Sequence, residues 1–244
     1  MRWYNELRRT VNPESPQLIE SENQDALCVI LISNGRFFEQ VIETYRADPG
    51  SIPNNFVERT TNRLLNELVR NLKIKGCKQV SQYNLDTPPF LHSQSLGYLA
   101  GLVEYISGDE VIVHDDERVL LEQRCHHNRF TNADSRMLGL TLHPQYGGWF
   151  AYRGLLVLHD LNWPDERSKP SPMKFLSERQ RRDAILQFNL DPDIGYWRDL
   201  NDPRRGPVIR YTVVQYAYFH EKSIARRRRM LQLLDEEQIR SRFP

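Results

Sequence analysis

At 244 residues, 39% of them hydrophobic and 27% charged, the chain is long enough for one large domain with a core that needs no staples. A net charge of +1 gives no basic field for nucleic acid or an anionic membrane, and no apolar run approaches the ~18 residues that span a bilayer. Three widely spaced cysteines, Cys28, Cys77 and Cys125, do not make a disulfide framework, and the first residues lack a secretory or transit pattern, so a cytoplasmic protein is expected.

Residues 1–25 are polar and carry Pro13 and Pro16, which predicts mostly irregular chain, with Trp3 and Tyr4 available to dock on a core. Ala26 to Ser33 is a continuous apolar run, β-branched in its middle, and reads as a fully buried strand. Asn34-Gly35 turns the chain into a helix with Phe38, Val41, Ile42 and Tyr45 on one face, ended by Pro49 and Gly50. Asn54 or Asn55 caps the next helix, whose apolar stripe is Leu64, Leu65, Leu68, Val69 and Leu72. Lys78 to Leu85 reads as a strand. Ser93 to Tyr105 reads as a helix with Gly97, Ala100 and Gly101 on or near one face. Such small residues admit a flat ligand or a close backbone; tight helix–sheet packing is the commoner reason.

Residues 107–136 are charged and hold the tract Cys125-His126-His127, with His114 nearby. Those are zinc-ligand types, but no second pair stands at finger spacing, so a solvated loop is favoured and no metal site is expected. Met137 to Leu142 resumes strand character. Ser177 caps a helix running to about Asn189, with Ala184, Ile185 and Phe188 inward, and Tyr211 to Leu234 reads as largely helical. Strands mixed with long helices, without a parallel βαβ series or its glycine fingerprint, give an α+β class in a single domain over residues 1–244.

The densest chemistry lies in His143-Pro144-Gln145-Tyr146-Gly147-Gly148-Trp149-Phe150-Ala151-Tyr152-Arg153-Gly154, followed by the apolar run Leu155 to Leu158. Gly147-Gly148 permits a positive φ or a close backbone approach. Beyond it the side chains alternate, Trp149, Ala151 and Arg153 on one face, Phe150, Tyr152 and Gly154 on the other. A strand arginine needs an anionic partner, either a protein carboxylate or a ligand. Arg198, after Tyr196-Trp197, and Arg226, on the last helix, are further candidates; three guanidinium forks suit a small molecule with two carboxylates. No GxSxG and no P-loop occurs, and the run Arg226 to Arg229 points around a helix as a solvated face.

Trp3-Tyr4-Asn5-Glu6-Leu7, the HPxxGGWFAxRG pattern of residues 143–154, Phe188-Asn189, Trp197-Arg198-Asp199 and Ala217-Tyr218-Phe219 resemble the CblC family of cobalamin-processing proteins. The resemblance covers Trp3 to about Leu234. It implies a flavin-reductase or nitroreductase-like antiparallel sheet flanked by helices. It implies a cytoplasmic enzyme that binds cobalamin (vitamin B12) base-off and removes its upper axial ligand. Alkylcobalamins lose the alkyl group to glutathione, and cyanocobalamin is decyanated reductively. Oxidation of the thiol by oxygen follows as a side reaction.

By the same resemblance Arg153, Arg198, Arg226 and Tyr211 hold glutathione. The cobalamin or flavin site takes Gln82, Leu91, His92, Ser93, Gln94, Tyr105, Ile106, Ser107, Thr141, Trp149, Phe150 and Tyr152. No residue need act as nucleophile or general base; positioning supplies the catalysis. FAD or FMN enters the same cavity in the family, but Ser107 stands where a relative has Gln, and residues 107–136 form a variable insertion. A CblD-like protein is the implied partner, with the chain a monomer or weak homodimer. Two other readings stay open: a cobalamin chaperone without turnover, and a flavin-dependent nitroreductase relative.

Overall fold

The computed structural model describes residues 1–14, 18–43, 56–85, 91–110, 137–163, 170–191 and 195–221, with 223, 225–227 and 230. Tyr45, Pro49, Gly50, Asn54, Asn55, His114, Cys125, His126, His127, Arg228, Arg229 and the stretch 231–234 lie outside them.

The element order is α1 (Arg2–Val11), β1 (Ala26–Asn34), α2 (Phe37–Glu43), α3 (Phe56–Ile74), β2 (Val80–Asn84), α4 (Ser93–Leu99), β3 (Glu104–Ile106), β4 (Leu140–Leu142), β5 (Phe150–Asn162), α5 (Glu178–Leu190) and α6 (Val213–His220). Short 3-10 turns cover Tyr196–Asp199 and Pro203–Arg205. The α+β class expected from the pattern is therefore found, and the strand pairs are antiparallel.

β5 is the spine. It lies between β1 and β2 in a three-stranded sheet, while β3 and β4 form a separate ribbon. The apolar run Leu155 to Leu158 is at most 5% exposed, worth about 1.5–3 kcal/mol per fully buried side chain. Its Leu155 and Val157 pack against Tyr4 of α1 and Leu96 and Leu99 of α4. A second cluster joins α2, the start of α3 and α6 through Phe38, Phe56 and Tyr218. A third places Ile106, Leu140 and Leu142 against Ile185 of α5 and Trp197.

Four expectations are corrected. The first residues form a helix, because the prolines come after α1 and tertiary contacts hold it in place. Asn5, 2% exposed, donates to the Ile19 carbonyl at 3.0 Å and accepts the Ile19 N–H at 2.9 Å. β1 is not fully buried: it is an edge strand, and Val29 is 39% exposed. In α3 only Leu65 of the expected stripe is buried, where Gly154 leaves room for it; Leu64 and Leu68 face out.

The helix expected to reach Tyr105 stops at Leu99. Gly101 takes a positive φ, its N–H bonds to the Tyr98 carbonyl, and Leu102 N–H reaches back to Gly97. That ending puts Tyr105 on β3. The last helical stretch begins at Val213, capped by Thr212, and is interrupted at Glu221, whose ψ of 121° is extended; Ala225, Arg226 and Arg227 are helical again, in keeping with a largely helical end. Ser177 caps α5 as the sequence predicts, and Gln180 completes a reciprocal capping box.

Two buried polar groups hold the β3–β4 side together. Glu104, fully buried, accepts the N–H groups of Phe175 and Leu176 at 2.7 and 3.0 Å and faces Arg181 Nε at 3.3 Å. His143 follows β4, and its Nδ1 accepts the N–H groups of Gln145 and Tyr146, which shapes the turn before β5. Burial, with the charge of Arg205 as a smaller cause, lowers its pKa from 6.5 to about 4.

Glu104→Ala strands Arg181 and two backbone donors, so urea unfolding should show a loss of about 3–5 kcal/mol. The imidazole of His143 is neutral in the fold and protonates first in the unfolded chain. Stability from this group is therefore full above pH 6.5 and falls as pH drops toward about 4. Urea midpoints across that window should fall less steeply for His143→Asn than for the native chain.

Candidate functional site

The Gly-Gly turn does both things that its residues allow. Gly147 has φ +56°, and a Cβ there would lie 2.2 Å from the Arg198 carbonyl oxygen. A Cβ on Gly148 would lie 2.4 Å from the Trp197 ring. The turn is thus a bare surface on which Trp197-Arg198 sits directly. Gly148 N–H donates to the Arg198 carbonyl at 2.8 Å, and Arg198 Nη1 donates to the Gly148 carbonyl at 3.2 Å. The Arg198 guanidinium lies over the rings of Trp197 and Trp149, 4.4 and 5.4 Å from their centroids.

Arg153 arrives by a different device. Along the β1–β5 ladder Leu31 pairs with Gly154 and Ile32 with Tyr152, so Arg153 is the extra residue of a bulge. A bulge re-aims its side chain. Arg153 Nε donates to Ser33 Oγ at 2.7 Å, and the guanidinium carbon lies 5.5 Å from the Phe37 ring centroid. Strict alternation from Trp149 does not anticipate this reset.

The charges of both arginines reach Tyr211. Burial raises its pKa, and the charges of Arg153 and Arg198 oppose that rise, so both cations act on one phenol. Its ring also meets Trp149 edge-on at 5.3 Å. Trp149, Arg198 and Tyr211 thus meet from three chain segments, and the charge of Arg153, on the strand that follows Trp149, reaches the same phenol. Arg226 stands apart from these contacts: its side chain is 78% exposed and lies 3.8 Å from Glu221. Carboxylate-sized anions fit such a paired guanidinium site, where aromatic walls reduce competition from water.

Of the residues expected around cobalamin, Trp149 stands with Arg198 and Tyr211, and the rest divide into two groups. Gln94, Tyr105, Thr141, Phe150 and Tyr152 share one neighbourhood between α4, the β3–β4 ribbon and the start of β5. Gln94 Nε2 donates to the Gly139 carbonyl at 3.2 Å, and the Tyr152 hydroxyl donates to Thr141 Oγ1 at 3.3 Å. The Tyr152 hydroxyl lies where a Cβ on Gly97 would be, and the Tyr105 hydroxyl occupies the same place over Gly139. Burial pushes the Tyr152 phenol up to about 12, so it stays protonated and able to donate. Phe150 packs between His143 and Tyr152.

The others have structural tasks. Leu91 and Ile106 are in the core, 5% and 0% exposed. His92 caps α4 by accepting Ser95 N–H, its own N–H bonds to the Tyr4 hydroxyl, and burial lowers its pKa. Ser93 opens α4, Gln82 pairs with Leu156 on the sheet, and Ser107 Oγ accepts Asp109 N–H.

An apolar cavity of about 330 Å³ lies against Leu96 and Leu99 of α4, between Trp3, Cys28 and Trp163. None of the candidate residues lines it. Among the described residues no three His, Cys, Asp or Glu side chains gather to hold a metal ion, and no helix is long and apolar enough to cross a membrane.

Sequence reasoning misses Gly139, Ser33, Phe37 and Arg210. A tripeptide such as Leu138-Gly139-Leu140 is a weak signal alone, and the Arg210–Asp199 pair has no local pattern at all.

A sequence model of the methylmalonic aciduria and homocystinuria type C family (MMACHC) matches residues 1–231. A chicken protein named cyanocobalamin reductase / alkylcobalamin dealkylase is 34% identical over 87 residues, which are 35% of this chain and 34% of that one. The human protein of the same name is 35% identical over 88 residues, 35% of this chain and 29% of its own. An MMACHC-like protein of Caenorhabditis elegans is 35% identical over 85 residues, 34% and 29% of the two chains. The matched stretch thus spans about a third of the length of these curated relatives.

The crystal structure of a C. elegans B12-trafficking protein, CblC, superposes with a TM-score of 0.63 at 22% identity, over 96% of this chain and 87% of that one. At that identity the likeness is one of fold. With the family model matching nearly the full length, the chain belongs to the methylmalonic aciduria and homocystinuria type C family.

Proposed function

We propose that this protein is a cobalamin-processing enzyme that removes the upper axial ligand of its substrate, with glutathione as the alkyl acceptor. The observation that carries this reading is the Arg198 guanidinium over Trp149, whose ring meets Tyr211 edge-on, with Arg153 on the strand that follows and its charge reaching the same phenol. Glutathione has two carboxylates and a thiol. Two guanidinium groups from separate elements suit the carboxylates, and their field favours the thiolate over the thiol. Arg226, solvent-facing beside Glu221, is the third arm in this reading.

The chemistry then needs position rather than a protein nucleophile. The thiolate sulfur attacks the alkyl carbon, the S–C bond forms, and the Co–C bond breaks with both electrons staying on cobalt. The products are the glutathione thioether and cob(I)alamin. Holding sulfur in line with that carbon is the contribution of the arginines. Gln94, Tyr105, Thr141, Phe150 and Tyr152 supply hydrogen-bonding groups and aromatic walls to the corrinoid. Gln82, Leu91, His92, Ser93, Ile106 and Ser107 frame that side.

Names of relatives that include cyanocobalamin reductase support decyanation as the companion reaction. Reduced flavin (FAD or FMN), or a thiol, is the electron source in this reading. The flavin-reductase or nitroreductase-like ancestry of the sheet belongs to the same reading, as do a CblD-like partner and a cytoplasmic setting. Reoxidation of the thiol-reduced corrinoid by oxygen gives futile thiol oxidation.

An anaerobic absorbance titration tests this reading. Methylcobalamin should shift to the base-off spectrum on protein addition, and glutathione should then convert it to cob(I)alamin. A shift without conversion leaves a chaperone, and no shift removes the cobalamin reading. Arg153→Ala should lower the glutathione kcat/KM at least about tenfold, since a charge-assisted hydrogen bond is lost. The methylcobalamin titration should be little changed, and equal losses in both would overturn the assigned role.

A further inference from the structure

Asp199 joins three segments of the arginine site through one carboxylate. Trp149 Nε1 donates to Asp199 Oδ1 at 2.8 Å. Arg210 Nε donates to the same oxygen at 2.8 Å, and Arg210 Nη2 donates to Oδ2 at 2.7 Å. Each of the three residues adjoins a member of the site. Asp199 follows Arg198, and Arg210 precedes Tyr211. The Trp149 ring meets both the Arg198 guanidinium, at 5.4 Å, and the Tyr211 ring, at 5.3 Å. The Arg210 backbone is itself held close over Gly35, where a Cβ would lie 2.8 Å from the Arg210 carbonyl oxygen. Arg210 is thus a fixed post, and Asp199 ties the indole to it.

We propose that Asp199 is a positioning residue of the thiol-substrate site: it sets the plane of Trp149, and through that ring the places of Arg198 and Tyr211, for an anionic thiol. The substrate named here rests on the function proposed above. A carboxylate beside two arginines opposes an anionic ligand by charge alone. If Asp199 acted only through its charge, its removal would tighten glutathione binding. If it acts by position, removal weakens that binding. The two accounts differ in sign.

The test compares Asp199→Ala and Asp199→Asn in methylcobalamin dealkylation, read as the KM for glutathione. Asp199→Ala should raise KM about tenfold. Asp199→Asn should recover most of that loss, because the amide oxygen still accepts the indole N–H; it also serves as the folded control. The Trp149 indole N–H resonance, assigned with Trp149→Phe, should move in Asp199→Ala and stay in Asp199→Asn. Trp149→Phe combined with Asp199→Ala should be no worse than the more damaging single change, the mark of a shared interaction.

An unchanged or lowered KM in Asp199→Ala overturns the proposal, as do additive effects or an unmoved resonance. The two failures are distinct. A native protein that binds methylcobalamin but does not use glutathione overturns the proposed function and the substrate named here with it. A native protein that uses glutathione while Asp199→Ala matches it overturns the positioning role alone.

Discussion

Contact between the Gly147-Gly148 turn and the Trp197-Arg198 turn is the constraint on which the site depends. Gly148 N–H donates to the Arg198 carbonyl at 2.8 Å and the Arg198 side chain donates back to the Gly148 carbonyl at 3.2 Å, with the Trp197 ring laid on Gly148. No other residue type fits at either glycine, because a Cβ would fall inside the neighbouring carbonyl or ring. Trp197 also belongs to the core cluster of α5 and the β3–β4 ribbon. One contact therefore connects the spine strand, a hydrophobic core and the arginine site.

The two arginines are held by different means. Arg153 is turned by a bulge toward Ser33 and Phe37, while Arg198 lies on the faces of two indoles. Guanidinium groups tolerate this partial desolvation because they are weakly hydrated and stack on aromatic faces. The charges of both oppose the rise that burial gives the Tyr211 phenol. Half-buried cations of this kind are more useful to an anionic ligand than exposed ones, since solvent screens them less.

Between α4 and the β3–β4 ribbon, glycine again decides the geometry. Tyr152 lies over Gly97 and Tyr105 over Gly139, so two aromatic rings nest against backbone. α4 presents Gln94 and Gly97 to this neighbourhood and Leu96 and Leu99 to the apolar core.

Local chemistry in the sequence determined a good deal by itself. The apolar runs specify β1 and β5, Ser177 and Gln180 specify the start of α5, and the Gly-Gly turn marks the central stretch. These are legible because burial and capping act within a few residues. Arg153 and Arg198 stand out as candidates because a cation among apolar or aromatic neighbours needs a reason.

Other features were decided only by the tertiary structure. α1 is held by Asn5 against Ile19 and by Tyr4 in the core, partners from distant segments. The bulge at Arg153 depends on β1, and the Asp199 link depends on Arg210 being held over Gly35. Such contacts close long loops, and their energy depends on what the rest of the chain brings close, which no window of neighbouring residues contains.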